Sequence, residues 1–417
     1  MATSGSYNYK LTADGVITEA LSLVGVYDPG ETLAAADSAS ALITLNIMLK
    51  AWQSQGIGLW LKKEYALFFA DGTYSYDVGP SGDHCTTSYV KTEVATAAAS
   101  AATSLVVDSI TGFGNTFDRD GIITATTPSG SGSITLSGTL VTSSVAYLPS
   151  GSSAEVSART ILVYGGNDES GKTFTVVGTD ANDASQTEVI TGPNAGTVYS
   201  TYKYKTVTSV TASGATTGNI EVGVVGDFIG IELDDGTVQW TNAAAAVSTT
   251  TLTLMDALTD SVAVDNHVYT YTHKAQRPLE IDEVRLHTSD DNERPLLMVS
   301  RQEYMALSDK DSAGSPNQVY FNPTRTNAEF RVWPAPDDTK EWIMFTGKYP
   351  IQDMDTTSHD IDIPQEWFEA LAWNLAVRLA PKYGRPIDPN VLLMAAKFKE
   401  NVLEFDREFT SVFIQVV

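Results

Sequence analysis

Both ends of this chain read as helix and its long middle reads as strand, an asymmetry that constrains the fold more than any other feature. Thr12 precedes a run with Val16, Ile17, Ala20, Leu21 and Val24 on one face, spacing that predicts an amphipathic helix. Thr12 and Asp14 both suit its start, and Gly25 stands where a helix ends in a left-handed residue. After a Pro29-Gly30 loop, Ala41, Leu42, Leu45, Met48, Leu49 and Trp52 predict a longer helix that stops before Gly56. Two such helices cannot close a core alone and require a partner.

The other end of the chain supplies it. Pro364 suits the first turn of a helix with Trp367, Ala370, Leu371, Asn374, Leu375 and Leu379, closed by Pro381, Gly384 and Pro386. A last helix from Asp388-Pro389 sets Val391, Leu392, Ala395, Phe398, Val402 and Phe405 at helical spacing. The expected class is therefore α+β: a discontinuous helical bundle from both chain ends, with a large inserted region of sandwich-like β modules. The expected divisions are a helical core of 1–64 plus 364–408 and a β-rich segment of 65–91 plus 276–363. Inserted β modules fill 92–275, and an apolar tail follows at 409–417.

Within the inserted part, Tyr65 to Val78 alternates around Asp71-Gly72, a hairpin signal. Short strand patterns then recur between turn residues every eight to twelve positions or so, as in sandwiches and small barrels. Residues 161–223 read as one compact sandwich, nested in a second β unit of 92–160 and 224–272. From Gln276 to Ile363 longer Trp- and Tyr-rich strands are expected to rejoin residues 65–78.

Charge limits the partners. The net charge is −25 and no Lys/Arg cluster occurs, which excludes a protein that wraps DNA through its phosphates. It does not exclude a conduit, because a like-charged wall keeps a passing duplex from sticking. The single cysteine, Cys85, rules out an intrachain disulfide framework. The start MATSGSYNYK shows no signal peptide, and no run of about 18 apolar residues predicts a membrane span, so a soluble protein made in a cytoplasm is expected.

Several residue groups invite a chemical reading. His84-Cys85 lacks the further ligands that zinc needs. Asp234-Asp235 and Asp353-Met354-Asp355 fit ordinary turns better than a calcium loop. Gly166-Asn167-Asp168-Glu169-Ser170-Gly171-Lys172-Thr173 formally matches a phosphate loop. Phe174 to Gly178 continues as strand rather than helix, and two acidic residues occupy the cradle, so a hairpin turn is the better reading. Trp333, Trp342, Trp367 and Trp373 fit packing better than a sugar platform. Glu366 and Glu369 share a helix face, as a solvated pair at a helix start does more often than a hydrolase pair. No catalytic, cofactor-binding or metal residue emerges, and the chain reads as a non-enzyme. Phe409, Val412, Phe413, Ile414, Val416 and Val417 form an apolar end that either packs on its own domain or docks on a neighbouring protein.

Two stretches also carry a resemblance. The first is Ile17-Thr18-Glu19-Ala20-Leu21 with Val24-Gly25-Val26, then Leu45-Asn46-Ile47-Met48-Leu49-Lys50-Ala51-Trp52 and Gly56. The second runs through Ser300-Arg301-Gln302-Glu303-Tyr304, Val319-Tyr320, Val332-Trp333-Pro334-Ala335-Pro336 and Pro364-Gln365-Glu366-Trp367 with Ala370-Leu371. It ends in Leu379-Ala380-Pro381-Lys382-Tyr383-Gly384. Together these cover about half the chain and resemble the head-to-tail adaptors of short-tailed phages, also called tail accessory or packaged-DNA stabilisation proteins. The resemblance implies a virion protein in the tail neck, assembled in the host cytoplasm. Its implied partners are the portal protein, a tail hub or nozzle protein, and copies of itself in a dodecameric ring. DNA would pass through the ring without sequence-specific binding, and Phe409 to Val417 would dock on the portal. The helices are expected to form the ring wall and the β insertion, which departs from the smallest members of that family, to face outward. A phage adhesin or decoration protein that binds host-surface glycan through its β modules is the other reading.

Overall fold

The computed structural model describes residues 9–28, 30–55, 58–152, 156–288 and 290–406. It is a mixed α+β protein in which strands far outnumber helices, and a large β region separates the helical ends. The chain divides into two compact units, Met1–Lys63 with Lys348–Val417, and Glu64–Gly347.

The first unit holds α1 (Ala13–Leu23), α2 (Ala35–Ser54), α4 (Phe368–Leu379) and α5 (Pro389–Phe405), while α3 (Arg301–Ala306) belongs to the second. Thr12 caps α1 by accepting from the Gly15 amide at 3.3 Å, and Gly25 leaves it at φ +70°. Asp388 caps α5 by accepting from the Asn390 amide at 2.8 Å. Val16, Ile17, Ala20 and Leu21 of α1, Leu45, Met48 and Leu49 of α2, and Leu371, Leu375 and Leu379 of α4 share one hydrophobic core. Trp367, just before α4, packs its ring 5.8 Å from Trp52 and 5.0 Å from Trp60.

The four helices do not contribute alike. Fourth in the expected bundle, α5 fully buries only Ala395 and joins α4 partly through Asn374, whose Nδ2 donates to the Ala395 carbonyl at 2.9 Å. The segment before α4 carries no strand between Tyr349 and Met354, so its backbone groups need other partners. Asn46 donates to Met354 O at 2.9 Å and accepts from its amide at 3.2 Å. Lys50 and Gln53 donate to the Ile351 and Tyr349 carbonyls.

The second unit is built of sheets. One orders Glu293–Pro295, Ile281–His287, Trp342–Lys348, Lys62–Phe68 and Cys85–Thr86. A second orders Ser75–Val78, Ala328–Trp333, Gln318–Asn322 and Leu297–Met298. The Asp71-Gly72 hairpin is thus overturned: Lys62–Phe68 and Ser75–Val78 belong to different sheets. Gly72 does turn the chain at φ +63°, but its amide donates to Pro336 O at 2.9 Å rather than closing a ladder. Alternation sets which face of a strand is buried, not which strand it pairs with.

A six-stranded sheet orders Val238–Asn242, Phe228–Glu232, His267–Tyr271, Val90–Thr96, Ser104–Val107 and Thr251–Thr253. Set into it is a two-sheet module. Asn194–Tyr204, Arg159–Asp168, Ile220–Val224 and Asp118–Thr126 form one layer. The other holds Ser185–Thr191, Thr173–Thr179, Thr206–Ala212, Val145–Tyr147 and Val141–Thr142, with Gly132–Ile134 alongside Thr206–Ala212. Ile161, Val163, Phe174, Val176, Val207 and Val210 share its core with Ile122, Ile123, Ala146 and Leu148. The module therefore runs from Asp118 to Val224, wider than the expected 161–223. Three of the strands outside that span, Gly132–Ile134, Val141–Thr142 and Val145–Tyr147, have two or three residues, too few to show a period, while Asp118–Thr126 has nine.

Candidate interaction surfaces

The residues singled out for chemistry are absorbed by structure. His84 stacks on Trp240 at 4.1 Å, and its Nδ1 lies 2.7 Å from the Tyr271 hydroxyl. Burial, with the nearby Lys274 and Lys203 charges, holds its pKa well below the ordinary value. Cys85 is buried, which pushes its thiol pKa up and keeps it from reacting. No group of three or more His, Cys, Asp or Glu among the described residues is placed to hold a metal ion. Asp235 accepts from the Thr237 amide at 2.9 Å, as turn chemistry predicts, and Asp353 pairs with Lys50 at 2.7 Å.

The phosphate-loop look-alike is neither a cradle nor a hairpin. Its first residues end Arg159–Asp168 in one layer, and Thr173 begins Thr173–Thr179 in the other, so it is a corner between sheets. Glu169 is buried there, and its Oε1 accepts from the Thr217 and Gly218 amides at 2.6 and 2.9 Å. Within the loop itself, the Ser170 amide donates to Asp168 Oδ1 at 3.0 Å and the Lys172 amide to the Glu169 carbonyl at 2.8 Å, so neither is free to hold a phosphate. Trp342 and Trp367 are buried, Trp373 packs on Phe398 at 5.5 Å, and Trp333 donates to Asp309 O at 2.7 Å. Glu366 and Glu369 are exposed near the start of α4. Phe409, Val412, Phe413, Ile414, Val416 and Val417 lie outside the described residues.

Sequence reasoning missed a cationic cluster built around one buried arginine. Arg159 lies fully buried with its guanidinium 4.2 Å above the Phe228 ring and 3.6 Å from Asp227. It also donates to the Thr272 carbonyl. Lys203 and Lys274 approach the same ring at 5.6 and 5.7 Å. Burial lowers the Arg159 pKa to about 10 and, with Lys203 adding to it, the Lys274 pKa to about 8. The cluster pins the two-sheet module to the six-stranded sheet. No residue pattern signals it, because its members come from four separated segments.

Three surfaces among the described residues bear on function. On the helical unit, α2 exposes Ala36, Ala39, Ile43 and Ile47, three or four residues apart, with each isoleucine 59% exposed. On α5, Leu392 is 52% and Leu393 66% exposed, and Ala396 is open beside them. On the β unit, Phe117, Arg119, Tyr164, Thr197 and Tyr199 line a groove of about 440 Å³. There Arg119 lies 4.4 Å above the Tyr164 ring and pairs with Glu221. No described helix is long and apolar enough to cross a membrane.

No curated protein and no solved structure matches the chain. Residues 222–408, a little under half of the chain, match the family model described as SU10 adaptor protein, a likeness that supports a phage structural adaptor.

Proposed function

We propose that the protein is a head-to-tail adaptor of a short-tailed phage, copies of which form a ring between the portal protein and a tail hub or nozzle. The observation that carries this reading is the family match over residues 222–408, which spans strands of the β unit as well as α4 and α5. A net charge of −25 suits a channel wall that lets DNA pass without holding it, and retention of packaged DNA follows from closing that channel. The ring is taken to be a dodecamer, and the chain is taken to have no catalytic role. Native mass spectrometry of the protein, alone and mixed with its own phage's portal, tests the reading. A stoichiometric ring on the portal is the expected result; a stable trimer indifferent to portal overturns it.

The groove beside Tyr164 and Tyr199 favours a second reading, host-glycan binding by the β unit. Aromatic faces and a guanidinium are the groups that hold a sugar ring and its hydroxyls. Glycan-array binding lost in a Tyr164→Ala variant would support it.

A further inference from the structure

We infer that the exposed face of α2 in one copy packs against the exposed face of α5 in the next, making a head-to-tail contact between copies. The inference deepens the adaptor reading, since it names the surfaces through which a ring would close.

The sequence of α2, AADSASALITLNIMLKAWQS, is apolar on both sides, and a helix of that kind is stable when both sides are covered. Leu45, Met48, Leu49 and Trp52 face the core of their own unit. Ala36, Ala39, Ile43 and Ile47 form the opposite row and have water. The spacing of that row is the one that seats side chains between those of a facing helix.

Charge selects the occupant. Two copies at −25 each repel, so they touch at least cost where charge is absent. Residues 38–49 of α2 carry no charged side chain, and neither do residues 389–396 of α5. The acid nearest the row, Asp37, is held by the Tyr27 and Tyr383 hydroxyls at 2.5 and 3.2 Å. Lys50, at its other end, is paired with Asp353.

The proposed contact is side by side and parallel, which sets Ala39 opposite Leu393 and Ile43 opposite Ala396, large against small. The two faces lie on different helices, so the contact is heterologous and leaves each copy with one unused face of each kind. A third copy can then add, and the series closes into a ring or continues as a chain.

Full-length protein carrying Ile43→Cys and Ala396→Cys, oxidised at high concentration and run on a denaturing gel, tests this. The native thiol, Cys85, is buried. The expected result is a ladder of trimers and larger species, with each single variant stopping at dimers. Ile43→Asp with Ile47→Asp should weaken self-association at least about tenfold by sedimentation equilibrium while far-UV circular dichroism is unchanged. A double-cysteine variant that yields only monomers or dimers overturns the inference, as does an aspartate variant that assembles like wild type. Coverage of Ile43 by residues 407–417 of its own chain would also give no ladder. The adaptor reading fails separately, when wild type forms the ladder but no complex with portal.

Discussion

Arg159 shows how much one residue carries here. Its guanidinium is out of water, its Nε and Nη1 find no hydrogen-bond partner among the described residues, and its nearest counter-charge is Asp227. Arg159→Met should cost about 3–5 kcal/mol in urea unfolding, because it strands the buried Asp227 carboxylate. Adding Asp227→Asn should recover much of that loss, which a purely steric role for the arginine would not allow. Lys274 makes a pH prediction. Its folded pKa of about 8 lies below the 10.5 of an ordinary lysine, so between those values the unfolded chain binds a proton that the fold does not. Stability from this group therefore rises with pH through that window. Lys274→Met should flatten the slope measured below pH 10, with Lys203, shifted the same way, leaving a remainder. Above pH 10 tyrosines with raised pKa values oppose the trend, the half-buried Tyr383 among them, pushed up to about 12 by burial and Asp37.

At the scale of elements, helices were more legible than strands. The residues that set α1, Val16, Ile17, Ala20 and Leu21, are all buried, because helical periodicity is a local property and a helix satisfies its own backbone. Strand partners are not local. Lys62–Phe68 found Cys85–Thr86 and Trp342–Lys348 rather than the strand just after its turn. The turn before α4 gives the sharpest test. Trp367→Ala removes a buried ring from between Trp52 and Trp60 and should destabilise the helical unit by about 3–5 kcal/mol in thermal unfolding followed at 222 nm.

At the scale of the molecule, the two-sheet module is joined through neighbouring strand ends, since Asp118 pairs with Val224. Adjacent ends are the condition under which an inserted unit can be removed without tearing its host. Replacing residues 118–224 by a short Gly-Ser linker, together with Asp227→Asn, should leave the six-stranded sheet folded. Hydrogen exchange checks this: Val94, Ile229 and Val268, in the core of that sheet, should keep slow amides. Fast exchange throughout 90–107 and 228–271 would mean that the module is part of the host's core. The resemblance read at residues 300–384 falls inside the matched interval 222–408, whereas the part read at residues 17–56 lies outside it.

The sequence by itself determined the helical ends, with starts near Thr12 and Asp388, and the β-rich middle. These follow from periodicity and turn chemistry, which act over a few residues. The tertiary structure decided the rest. It tied Glu169 of the phosphate-loop look-alike to the distant Thr217 amide and gathered Arg159, Lys203 and Lys274 around Phe228. It also turned one side of α2 to solvent while burying the other. Each of these depends on which distant segments meet, a choice made by burial of apolar area across the whole unit, and periodicity along the chain does not encode it.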